Sequence, residues 1–194
     1  MSVIVCFFFL LMFSVEVLLN VVVVLLAIFV VALALTFVTH VWWGVPYVPT
    51  PMPIVRTMVQ AAHLQSGNIV YDLGAGDARL LIEAKRMQQG IDARGCELVP
   101  TIWLLGWLRL LFSSVKVTFR CRSLYAENLS DADVIFLYLS PSVMQKLEAK
   151  FTTELKKGTR IISNCFCMKN REPVSIIDAP SFLWGKQKVY VYSW

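Results

Sequence analysis

Two glycines and three acids carry the chemistry that can be read in this chain. Asp72-Leu73-Gly74-Ala75-Gly76-Asp77 follows Ile69-Val70-Tyr71, a short β-branched and aromatic run that reads as a buried strand. Glycines at such a turn accept backbone angles that other residues resist, and they let a ligand lie directly on the main chain. A second strand, Ala93-Arg94-Gly95-Cys96, ends on Glu97. That acid stands about 20 residues past the loop, the distance at which a βαβ unit offers a carboxylate to ribose hydroxyls. The expected ligand therefore contains adenosine. Nicotinamide cofactors need a third glycine, and here Asp77, Ala78 and Arg79 follow Gly76. No G-x-x-x-x-G-K-[ST] phosphate loop is present either. Asp72, two residues before the first glycine, would repel a pyrophosphate and attract an ammonium group.

These residues need a scaffold, and the rest of the chain supplies one. Leu80 to Gln89 reads as a helix with Leu81, Ala84 and Met87 inward, stopped by Gly90. Strands are expected at Val115–Phe119, Val134–Leu139 and Thr159–Ser163, and a helix at Val143–Leu155. Ser175–Asp178 and Val189–Tyr192 are expected as a final antiparallel edge. Alternating strands and helices argue a mostly parallel sheet covered on both faces. Ligands in such sheets lie beyond the C-terminal strand ends, where the strand order reverses. The Asp72 loop, Glu97, the Arg122–Tyr125 turn and the Tyr138–Pro141 turn should gather there. Tyr138 is the candidate lining for an acceptor channel, and a buried tyrosine without a catalytic part is an equal reading.

The N-terminal third is of another kind. The chain of 194 residues is 57% hydrophobic with mean hydropathy +0.64. Between Val3 and Val38 only Glu16 and Asn20 are strongly polar. Residues 1–43 are therefore expected to be a membrane anchor, with one span near residues 17–39 followed by interfacial Trp42 and Trp43. A signal peptide fits poorly, since no basic segment precedes the run. All 18 Lys and Arg lie at or after Arg56, which places the C-terminal part in the cytoplasm by the positive-inside rule. Residues 44–66 form a proline-rich linker, then a lead-in helix over Ile54–Leu64. The linker is either a spacer or a flap bringing Tyr47 or Thr50 to the ligand. Pro100–Phe112 is apolar nearly all round, interrupted by Arg109 alone, and is too short to span. It is expected to dock on the bilayer surface. No His/Cys arrangement has metal-ligand spacing, and no basic stripe with interleaved aromatics suggests nucleic acid.

Asp72-Leu-Gly-Ala-Gly-Asp77 with Glu97 resembles the cofactor motifs of class I S-adenosylmethionine-dependent methyltransferases. Pro46-Tyr-Val-Pro-Thr-Pro51, Gly95-Cys-Glu97, Tyr138-Leu-Ser-Pro-Ser-Val-Met144 and Arg160-Ile-Ile-Ser-Asn-Cys-Phe166 narrow the likeness. They resemble the membrane-anchored protein-lysine methyltransferases of the ATP synthase c subunit and adenine nucleotide translocase, with their microbial relatives. The resemblance implies a Rossmann-like, seven-stranded α/β domain over residues 67–194, using S-adenosylmethionine on a protein substrate at the bilayer. It implies that Asp72, Gly74, Ala75, Gly76 and Asp77 hold the methionine end and Glu97 the ribose, with Ser123 and Thr50 lining the site. Ser123 stands where an Asp is usual, and Ala78 where a glycine is. A lipid or small apolar acceptor, or an inactive cofactor-binding adaptor, remains an open alternative on these residues.

Overall fold

The computed structural model describes residues 2–43, 47–180, 185 and 187–194. The chain divides into two units, Met1–Gly44 and Val45–Trp194. The first is one helix, α1 (Ser2–Trp43), about 63 Å long at the usual rise per residue. Within it Val15–Ala34 is long and apolar enough to cross a membrane, with mean hydropathy 3.2.

In the second unit, backbone pairing builds a seven-stranded sheet from β1 (Ile69–Leu73), β2 (Asp92–Glu97), β3 (Thr118–Cys121), β4 (Val134–Leu137), β5 (Arg160–Asn164), β6 (Ser175–Ala179) and β7 (Gln187–Ser193). Their spatial order is β3-β2-β1-β4-β5-β7-β6. β1 pairs in parallel with β2 and β4, and β7 runs antiparallel to both β5 and β6. The order reverses between β1 and β4, so the crevice for a ligand opens where those two strands end.

Strand alternation sorts the core into two layers. Val70, Val134, Phe136 and Ile162 point to one side, where α2 (Met52–Ala61) and α3 (Arg79–Met87) cover them with Ile54, Val55, Met58 and Leu81. Tyr71, Ile135, Leu137 and Ile161 point to the other, under Met144, Leu147 and Phe151 of α5 (Pro141–Glu154). α4 (Pro100–Leu111) lies over β2 and β3. The lead-in helix is thus an integral part of the core.

Several boundaries differ from the expected ones. α2 ends three residues early because His63 takes a left-handed φ of 47°. The strand expected at Val115–Phe119 starts only at Thr118. Ser114, also left-handed at φ 57°, turns the chain after α4, and β2 offers partners only from Arg94↔Thr118 onward. β4 stops at Leu137 rather than Leu139, since Pro141 opens α5 and draws Tyr138–Ser140 out of the sheet. For the same reason α5 begins two residues before Val143.

Candidate active site

The glycine loop folds back over the end of β2. The backbone N–H groups of Gly74 and Ala75 both donate to the Cys96 carbonyl, at 3.0 and 2.9 Å. The next amide, on Gly76, donates to the Glu97 carboxylate at 3.0 Å, and the other oxygen of that carboxylate accepts from Val99 N–H at 2.9 Å. Loop and acid therefore face each other across one short gap. Gly74 and Gly76 need their lack of a side chain: both have positive φ, 80° and 55°. A β-carbon on Gly74 would stand 3.0 Å from Leu139, and one on Gly76 only 2.8 Å from the Tyr47 ring. Ala78 also sits at φ 60°, in the left-handed region, and is fully buried.

The charges around the loop are unequal. Asp72 is 5% exposed. Burial pushes its carboxyl up to about 8, helped by the neighbouring negative charges of Glu97 and Asp77. Among the described residues no cation neutralises it. Asp77 is just as buried but is held by two arginines. Arg79 grips it in a fork, Nε on one oxygen at 2.8 Å and Nη2 on the other at 2.6 Å, and Arg109 of α4 adds a contact at 3.0 Å. Burial alone would raise the Asp77 carboxyl, but the guanidiniums outweigh it and keep it below the ordinary carboxylate value. An acidic pocket with one uncompensated buried carboxyl suits a cationic ligand.

The other candidate residues surround this point. Thr50 is buried, and its carbonyl accepts from Arg79 Nη1 at 2.9 Å. The linker thus lies over the loop. The Tyr47 hydroxyl is pushed up to about 12 by burial first and by Asp77 second. Ser123 caps a single 3-10 turn (Leu124–Ala126), accepting from Tyr125 N–H at 3.3 Å, while Arg122 N–H donates to the Glu97 carbonyl at 3.0 Å. Tyr138 is half-buried just past β4 and stacks on Phe166 past β5, with ring centroids 6.4 Å apart. Burial, then the nearby Cys165, raises its hydroxyl pKa. No group of three or more metal-ligating side chains occurs among the described residues.

The ANTKMT methyltransferase domain model matches residues 72–175. The chain belongs to this family. It is 32% identical to a protein-lysine N-methyltransferase of Saccharolobus islandicus over 150 residues, 74% of this chain and 88% of the relative. It is 33% identical over 153 residues to the mouse adenine nucleotide translocase lysine N-methyltransferase, covering 76% of this chain and 62% of the relative. The chain therefore spans less than two thirds of that relative's length. A Salinibacter ruber structure, titled an RNA methyltransferase in complex with S-adenosyl-L-homocysteine, superposes with TM-score 0.69 at 33% identity, over 75% of this chain and 93% of that one.

This ANTKMT-family chain is thus an S-adenosylmethionine-dependent methyltransferase, and its site fits the cofactor. A positively charged sulfonium with an ammonium group would answer the surplus acid of Asp72, and the turn that would hold it is drawn tight, with Leu139 and the Tyr47 ring packed where side chains on Gly74 and Gly76 would stand. When bound, the cofactor supplies a methyl group already activated on sulfur.

Two features escaped sequence reading: the arginine clamp on Asp77 and the pairing of Tyr138 with Phe166. A third is the seating of α4 on the loop. A β-carbon on Gly106 would lie 2.9 Å from the Gly76 carbonyl oxygen and 2.7 Å from the Phe119 ring. Gly106→Ala is expected to cost about 1–2 kcal/mol net, overpacking outweighing the gain in helix propensity. Urea unfolding measures this; unchanged or raised stability would show that the α4–loop contact yields freely.

Proposed function

We propose that the chain transfers methyl groups from S-adenosylmethionine to lysine side chains of a protein at or in the membrane. The observation that carries this reading is the match, over about three quarters of the chain, to relatives named as lysine N-methyltransferases. In this reading Asp72 faces the cofactor's amino group, and the Gly74–Gly76 backbone holds the methionine end beside Asp77. Glu97 takes the ribose, Ser123 the adenine side, and Thr50 with Tyr47 covers the loop. Val15–Ala34 crosses the bilayer once, with residues 45–194 on the cytoplasmic side.

The acceptor amine must be neutral to attack. Tyr138 and Phe166 would line its path, and a desolvating aromatic passage lowers an amine's pKa while aligning it. The Tyr138 hydroxyl, its pKa raised, stays protonated and is a hydrogen-bonding lining rather than a base. The lysine proton leaves to solvent before the methyl arrives.

Incubating the full-length protein and tritiated S-adenosylmethionine with membranes and total RNA tests the proposal. Radiolabel is expected in protein, released on acid hydrolysis as ε-N-methyllysine. Label in extracted lipid or in RNA, or none despite cofactor binding, would overturn it. The RNA arm matters because the Salinibacter ruber relative is titled an RNA methyltransferase.

A further inference from the structure

α4 has two unlike faces. Ile102 and Gly106 are buried, turned to the sheet and the glycine loop. On the outside Leu104, Leu105, Leu108, Leu111 and Phe112 follow the i, i+1, i+4, i+7, i+8 pattern of a single helical stripe, with Trp107 beside it. All six are exposed, from 41% at Leu108 to 83% at Phe112. A contiguous apolar face of this kind marks an interaction site rather than ordinary surface. One edge of the stripe is basic. A cavity of about 330 Å³ opens between α3 and α4, lined by Arg79, Arg86, Arg109 and Phe112 together with Glu83, whose charge is taken up by Arg56. Arg86 makes no ion pair among the described residues, and Lys116 is exposed just beyond the helix.

We infer that α4 is an interfacial helix that lays its Leu104–Phe112 stripe into an anionic phospholipid bilayer, with its basic edge on the lipid phosphates. An apolar stripe with arginines along one side is the pattern of helices that lie in the headgroup plane. Supply of the bilayer follows from the same chain, and this step rests on reading α1 as membrane-crossing. A bilayer crossed by Val15–Ala34 is tethered to the domain by the same chain. The inner face of α4 stands on Gly76 and its Arg109 holds Asp77. A bilayer on the outer face would then lie about one helix diameter, roughly 10 Å, from the glycine loop. A lysine near the membrane surface is thereby brought level with the cofactor.

Spin labels on the full chain in vesicles test this. Leu108→Cys and Leu111→Cys report on α4, Gln145→Cys on the exposed side of α5, and Val24→Cys on α1, each in a background without the native cysteines. The vesicles are phosphatidylcholine with about 30% phosphatidylglycerol, an anionic surface like that of a cytoplasmic leaflet. Both α4 labels are expected to be more accessible to oxygen than to a water-soluble nickel chelate, with Gln145 showing the reverse. Cofactor affinity within about twofold of the unlabelled chain checks that each variant is folded. Water-like accessibility at Leu108 and Leu111 would overturn the inference, whatever Val24 shows. The Val24 label separately decides whether α1 is in the bilayer. Equal immersion of α4 in phosphatidylcholine alone would overturn the part given to the basic edge.

Discussion

S-adenosylmethionine should bind the full chain roughly tenfold more tightly at pH 7 than at pH 6, with the gain fading near pH 8. The cause is Asp72, whose buried carboxyl holds its proton to about pH 8 without a cation beside it. Binding an ammonium group there requires the carboxylate, so complex formation releases a proton at neutral pH. Calorimetry in two buffers of different ionisation heat should find close to one proton released at pH 7. The ligand's own amino group titrates near pH 8, which keeps the plateau short. The sign for stability is opposite. A raised folded-state pKa means that the cofactor-free chain holds a proton the unfolded chain has lost. That contribution is complete below about pH 4 and disappears as pH rises toward 8. Asp72→Asn should remove both slopes, stabilise the cofactor-free protein at pH 8, and weaken binding by about 100-fold. A pH-independent affinity for the wild type would take Asp72 out of the site.

Glu97→Ala should also weaken the cofactor by about 100-fold, for a different reason. The carboxylate now accepts from Gly76 and Val99 amides at 3.0 and 2.9 Å. Its removal would strip the ribose hydroxyls of their acceptor, about 3 kcal/mol for two charge-assisted bonds. Glu97→Gln keeps one acceptor oxygen and should lose about tenfold. Calorimetry at pH 7.5 compares the three proteins, and equal affinities for wild type and Glu97→Ala would remove Glu97 from its role.

The meeting of the glycine loop with Glu97 was legible because its signals are local. Ile69-Val70-Tyr71 ahead of Gly74 and Gly76 names a strand and a turn, and Glu97 follows at a distance set by one helix and one strand. The two meet through a single hydrogen bond from the Gly76 amide. The arginine clamp was not legible, since Arg109 is far from Asp77 in sequence and reads as an interruption of an apolar helix. Only the seating of α4 through Gly106 turns that arginine to the loop. Ala78 teaches the converse. A methyl group in place of hydrogen reads as a mild change if the backbone permits it, yet φ is 60°. An L-residue there carries about 1–2 kcal/mol of strain. The proline-rich segment left two readings open, and the Tyr47 ring against Gly76 favours the covering one. Strand ends depart from the β-propensity pattern where a left-handed residue or a helix-opening proline ends the pairing.

Co-crystals with S-adenosyl-L-homocysteine would reveal where the cofactor lies on the domain. Ligand density is expected to run from the Asp72–Asp77 loop to the Glu97 carboxylate, with the ribose hydroxyls on Glu97 and the amino group beside Asp72. Density placed elsewhere on the domain, with the loop still closed on Glu97, would contradict it.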